Sequence, residues 1–416
     1  MRIFFPILFF VCYQTAAGKT IRVGKDKQPT SITAALQMAS QGDTILVGKG
    51  VYREKNIIIE KSVYLKGIGR PQLDGEDRYE ILTVRSNFVI IEGFDFIRAG
   101  KSSYNDLAAL KLVGCRDILV RDNLFINSFF GIYCQNVNRV MIANNVLHSN
   151  AKDEISSSNG IHCWKSDNLQ IINNTISGHR DGIYFEFVTG TIIQDNNSYN
   201  NVRYGLHFMF SSHNFFQSNT FRDNGAGVAV MYSNHVAMHR NLFSENWGNA
   251  AYGILMKEII DSDVEDNFFI RNTVGIYLEG SNRINMKRNR FDDNGWAIKM
   301  QASCTDNLIS ENNFTSNTFD VATNGSLVLN TFRGNYWERY EGYDLNRDGT
   351  GDVPYRPVSL YSMIVERNPA TLMLFRSFMV DLMDKAERII PGMTPEDLKD
   401  DEPRMKLIRL PEYVRL

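Results

Sequence analysis

Gly205-Leu206-His207-Phe208-Met209 is echoed 22 residues on by Gly227-Val228-Ala229-Val230-Met231. The echo extends in both directions. A small residue opens a short apolar run at Ala109, Gly131, Gly160, Gly182, Gly205, Gly227, Gly253, Gly275 and Ala297, in steps of 22, 29, 22, 23, 22, 26, 22 and 22. A second ladder is an Asn followed, in nearly every coil, by an apolar side chain two residues later. Its members are Asn123, Asn145, Asn174, Asn197, Asn219, Asn241, Asn267, Asn289 and Asn312, and six of them stand eight residues before the next anchor. A unit of this length, with three short β-rich runs, cannot bury its own apolar face and must stack on its neighbours. The period predicts an all-β solenoid, a right-handed parallel β-helix with 22-residue coils and strands paired about 4.8 Å above and below. The Asn side chains are expected to stack at the corners and bond turn backbone, a structural role rather than a glycan-binding one.

The rest of the chain is read around that solenoid. Arg2 followed by the apolar run Ile3 to Cys12 and by Thr15-Ala16-Ala17 predicts a cleaved signal peptide over 1–17, in preference to an uncleaved anchor. The solenoid is expected over 18–325, with an N-terminal capping helix at about 31–40 opened by Thr30 or Ser31. A Tyr/Asp/Gly-rich closing loop is expected over 326–360. A helical and extended C-terminal tail follows over 361–416, its helix placed at Thr371 to Ile390. Charge is nearly balanced, with 45 Lys and Arg against 47 Asp and Glu, which argues against nucleic acid as the main partner. Apolar content of 43% supports a real core, and ten prolines and five cysteines exclude collagen-like and disulfide-dense scaffolds.

Alternation along a strand sorts each Gly-initiated run into two faces. The first and third positions after the anchor are core, which puts Cys134 and Cys163 on adjacent inner rungs. They are expected as buried thiols, with a disulfide the less suitable geometry. The second position reads Tyr133, His162, Tyr184, His207, Ala229, and the fourth Gln135, Trp164, Glu186, Met209, Met231. These are expected to form one external patch of His162, Tyr184, Glu186, His207, Met209 and Met231. Two thioethers and an imidazole within reach of one point suit a soft ion, Cu(I) above all. The competing reading is a surface that contacts a partner protein. All seven histidines fall within one 92-residue stretch, and His213 and His235 hold equivalent places in successive coils. Insertions at 150–159 and 246–250 flank the patch, as loops around a binding face do.

Asp344, Asn346, Asp348 and Asp352 follow a D-x-N-x-D-G spacing that could place oxygens around Ca²⁺, but Tyr355 stands where an EF-hand needs Glu. The alternative is a Gly/Asp-rich turn.

The Met-bearing runs at 205–211 and 223–233, with Asn335-Tyr336-Trp337, Gly342-Tyr343-Asp344, the stretch 352–360 and the helical tail, resemble the NosD family of periplasmic maturation proteins for nitrous oxide reductase. The resemblance implies a periplasmic, non-enzymatic factor that helps assemble the copper-sulfide centre of the reductase with an ABC-type ATPase and permease. It also implies a copper-donating lipoprotein chaperone and the apo reductase as partners. The tail would dock on the permease, which would be the chain's contact with the membrane. The alternative is a β-helix polysaccharide lyase or esterase, which needs clustered acids and bases. Only Glu186 and Asp181 are offered on the central outward columns, with no Arg or Lys expected beside them. A passive adhesion solenoid would explain the repeats but not the patch.

Overall fold

The computed structural model describes residues 18–102, 104–155, 157–325, 329–389 and 398–410. The expected signal peptide lies outside the described residues. The coils stack into three parallel sheets of 14, 12 and 13 strands, here called sheets I, II and III. One coil contributes Tyr204–Met209 to sheet II, Phe215–Gln217 to sheet I and Thr220–Arg222 to sheet III. Pairing is in register, so Leu206 meets Val228, Phe208 meets Val230 and Met209 meets Met231.

The anchors are glycine for a steric reason. A Cβ on Gly205 would stand 2.7 Å from the carbonyl oxygen of Gly227, and one on Gly227 would stand 2.5 Å from that of Gly253. The core is a stack of flat side chains. Phe243, Phe269, Phe291, Phe314 and Trp337 lie ring on ring, with centroids 4.9, 4.8, 4.9 and 4.1 Å apart.

The Asn ladder forms at one corner. Each Asn gives its backbone N–H and its side-chain amide to the Oδ1 of the Asn one coil later, as Asn219 does to Asn241 at 3.0 Å twice. The member expected at Asn197 is instead Asn196, which binds Asn219 in that way. Register, not the apolar residue two places on, selects it, and Ser198 therefore points into the core. A second ladder, five residues behind the first, runs through Asn201, Asn224, Asn246, Asn272, Asn294 and Asn317.

Both ends are closed. Helix α1, Ile32–Met38, is capped by Ser31 and by Glu54, which accepts from the Ile32 and Thr33 N–H groups at 2.7 and 2.8 Å. At the far end the solenoid runs past the boundary expected at 325. Thr331–Arg333 joins sheet I and Tyr336–Trp337 joins sheet III, because the Asn ladder continues through Asn335. The tail helix expected over Thr371 to Ile390 starts later, and a further helix precedes it. Helix α2, Leu360–Arg367, starts at the Ser359 cap, a 3₁₀ turn spans Pro369–Leu374, and helix α3 spans Phe378–Ile389. Pro369 supplies no N–H and ends the first helix. Tyr361, Val365 and Val380 pack on Phe319 and Trp296 of sheet II, and Glu366 pairs with Lys299 at 2.7 Å.

The last described segment returns to the solenoid. Asp400 bridges Phe332 in parallel and Tyr355 in antiparallel fashion, and Arg404 does the same with Tyr336 and Thr350. The buried Asp400 carboxylate takes the place of the next Asn. It accepts from the Gly334 and Asn335 N–H groups, the Asn335 amide and the Trp337 indole, at 2.9, 2.9, 2.9 and 3.1 Å.

Candidate functional site

The outward face of sheet II is crossed by aligned columns, one per strand position. The fourth column pairs Trp164 with Glu186, Glu186 with Met209, Met209 with Met231 and Met231 with Lys257. Both methionines are half-buried, so their thioethers sit at the surface of the sheet. A Lys257–Glu279 ion pair at 2.9 Å bounds this column on one side.

The second column is not the open imidazole surface expected. Tyr133, His162 and Tyr184 stack with centroids 4.5 and 4.9 Å apart, and Tyr184 meets His207 edge-on at 5.0 Å. His207 is buried, with only 6% of its surface exposed. The cause lies in side chains outside the two columns. Tyr204 lies over His207 at 4.7 Å, Arg203 sits 4.8 Å over Tyr204, and Glu154 of the first insertion holds Arg203 at 3.6 Å. His162 is partly covered, its Nδ1 engaged by the Asn159 amide at 2.8 Å. Burial pushes its imidazole down to about 3.

His213 and His235 stack with centroids 4.7 Å apart, exposed on the corner between sheets II and I. The two rings stand side by side, with the His235 Nδ1 held by Asn234 at 2.8 Å. Between this pair and the methionines runs a ridge that sequence reading missed. Phe187, Phe210 and Tyr232 stack at 5.3 and 5.1 Å and stay about 45, 44 and 42% exposed. All three have φ near +50°, a left-handed turn position that suits Asn, as at Asn136 of an earlier coil. The signal was legible: three aromatic residues each follow directly on Glu186, Met209 and Met231.

The acids and bases are distributed differently from the expectation. Arg180 lies beside Asp181, Nη2 to Oδ2 at 3.3 Å, where no basic residue was expected. It is placed there by the turn that opens the strand. Among the described residues, no three His, Cys, Asp or Glu side chains converge on a point that would hold an ion. The fit to a soft ion therefore rests on the thioethers of Met209 and Met231.

The Asp344 to Asp352 loop closes on itself. Asp344 accepts from the Asp348 and Gly349 N–H groups, Asp348 from Thr350, and Asp352 from Leu345. These bonds describe an acid-capped turn, and among the described residues no three acidic side chains there form a group that could hold a metal ion. Cys134 and Cys163 are buried free thiols paired in register on adjacent strands. The hydrogen bond with the neighbouring Cys163, and desolvation after it, hold the Cys134 thiol well above its ordinary range. No helix among the described residues is long and apolar enough to cross a membrane.

The chain is thus a parallel β-helix with two methionines in register on one outward face and helices packed on one end. Residues 151–342 match the model of the family described as periplasmic copper-binding protein (NosD). The chain is 32% identical over 113 residues to the probable ABC transporter binding protein NosD of Stutzerimonas stutzeri, covering 26% of each. It is 30% identical over 118 residues to the protein of the same name from Pseudomonas aeruginosa, covering 28% of each. The alignments thus span about a quarter of the length of these curated relatives. The catalytic domain of a GH87 alpha-1,3-glucanase, solved with tetrasaccharides, superposes with a TM-score of 0.63 at 13% identity, over 77% of this chain and 69% of that one. That likeness is one of fold alone.

Proposed function

We propose that this chain is a periplasmic, non-enzymatic accessory protein that receives Cu(I) on the outward face of sheet II. On this reading it acts with an ABC-type ATPase and permease in assembling the copper-sulfide centre of nitrous oxide reductase. The observation that carries the copper role is the in-register pairing of Met209 with Met231 beside Glu186. Thioethers are soft ligands that hold Cu(I) and discriminate against the hard ions of the periplasm. Neutral sulfur donors at a half-buried surface also bind without permanent charge, which suits a cargo that must be passed on.

Partners are assigned by surface. The 3₁₀ turn and α3 expose a continuous apolar stretch through Leu372, Met373, Phe375, Phe378, Met379 and Leu382, with Met373 at 90% and Phe378 at 79%. Patches of this kind mark interaction sites, and this one supports docking on the membrane permease, through which the chain meets the membrane. The aromatic ridge beside the methionines supports a second contact, for a copper-donating lipoprotein chaperone and then for the apo reductase.

Titration of Cu(I) against a competing chelator tests the copper role. Wild-type chain is expected to bind about one ion with sub-micromolar affinity, and Met209→Ala/Met231→Ala to lose it. Equal binding by both would remove the site.

A further inference from the structure

Beside the methionine column lie four buried polar atoms with no hydrogen-bond partner: Nε of Arg180, Oδ1 of Asp181 and both ring nitrogens of His207. Folded proteins pair nearly all such atoms, so four in one cluster call for a cause. Asp181 opens the strand Asp181–Glu186 one rung before His207 and is fully buried. Its Oδ2 faces the His207 Nδ1 at 3.8 Å. Arg180 Nη2 holds the same oxygen at 3.3 Å and also reaches the Asn159 Oδ1 at 3.1 Å.

A histidine that binds a metal through one ring nitrogen commonly gives the N–H of the other to a carboxylate, which sets the tautomer and the direction of the ring. We infer that Asp181 is the positioning residue for His207: its carboxylate keeps the proton on Nδ1 and leaves the Nε2 lone pair for a Cu(I) ion shared with Met209 and Met231. The inference rests on the copper reading above. Because Arg180 anchors the acid, the ring is the part that turns, and a small rotation brings 3.8 Å to hydrogen-bond distance. The unpaired nitrogens then both have a role, one toward Asp181 and one toward the ion. Tyr204 covers the ring and is itself held by Arg203, which pairs with Glu154, so an ion meets Nε2 once Tyr204 turns aside.

Nitrogen-15 NMR of the metal-free, histidine-labelled full chain reads the tautomer directly. His207 protonated on Nδ1 is expected; a proton on Nε2 would overturn the inference without touching the copper reading. Cu(I) competition titrations of wild type, Asp181→Ala, His207→Ala and the double variant form the second arm. Asp181→Ala is expected to weaken binding about 10–100-fold, with no further loss once His207 is gone. Loss in His207→Ala with none in Asp181→Ala sinks the positioning role alone. Wild-type affinity in His207→Ala removes His207 as a ligand, and the inference falls with it. If Asp181→Ala folds poorly, the wild-type tautomer decides.

Discussion

His179 shows what burial does to one side chain in this solenoid. It lies closed from solvent near Ser157, Nδ1 to Oγ at 3.4 Å, and its backbone N–H opens the second Asn ladder through Asn201. Desolvation first, and the nearby His148 second, push its imidazole down to about 3. An unfolded histidine titrates near 6.5, so between these values the unfolded chain binds the extra proton and stability rises with pH. Stability is thus complete above about 6.5 and is lost as pH falls toward 3. The loss at pH 5 is about 2 kcal/mol for His179, with a smaller share from the partly exposed His162. Urea unfolding at pH 7 and pH 5 checks this, and His179→Gln is expected to remove the larger part of the difference. At the same scale the limits of sequence reading are visible. The Asn rungs were legible because only Asn supplies two donors and one acceptor in that geometry. Asn196 was misassigned to Asn197, since two adjacent Asn differ only in which one the register turns inward. The burial of His207 was not legible, because Tyr204 and Arg203 lie outside the two columns that alternation picks out.

Among the elements, the tail does two separate jobs. Helices α2 and α3 rest on the end of sheet II through Tyr361, Val365 and Val380 while leaving the apolar stretch around Met373 and Phe378 uncovered. Met373→Ser/Phe378→Ser is expected to keep the melting temperature of the wild type while abolishing co-purification with the permease; retained association would remove the docking role. The segment 398–410 instead closes the core. Asp400→Ala leaves two backbone N–H groups, an amide and an indole buried without an acceptor, at a cost of about 3 kcal/mol or more. Truncation after residue 389 is expected to lower the melting temperature at least as much. A truncated chain as stable as the whole would show that the closure contributes nothing. None of this was legible from composition, because the punctuating prolines and charges of the tail read as an extended appendage. What ties it down includes a carboxylate 65 residues from its partner Asn335 and the backbone pairing of Arg404.

For the molecule as a whole, period 22 was enough to lay out three sheets, their register and the core, since every coil repeats one geometric problem. The site was half legible for the same reason. Columns fixed by register, such as Met209 over Met231 and His213 over His235, could be read by counting. Contacts made by the irregular parts, the insertions and the tail, could not. Those parts carry Glu154, which holds Arg203 over Tyr204, and the helices at the end of the same sheet. Sheet II therefore joins the methionine face to the tail helices along a few rungs of parallel strand, about 20 Å by the usual strand spacing.

The segment 398–410 has one more consequence, which concerns growth. A stack of parallel strands ending in open N–H and C=O groups is a seed, and a second molecule could add its first coil at the same repeat that spaces a cross-β fibre. Here that position is taken by the chain's own Asp400 and Arg404, which pair in parallel with Phe332 and Tyr336 and then turn back against Tyr355 and Thr350. An Asn at the last place would still offer an amide proton to the next comer, whereas a carboxylate only accepts. The ladder of donors, passed from coil to coil in one direction, stops at a group with nothing to pass on, and the filament has a fixed length.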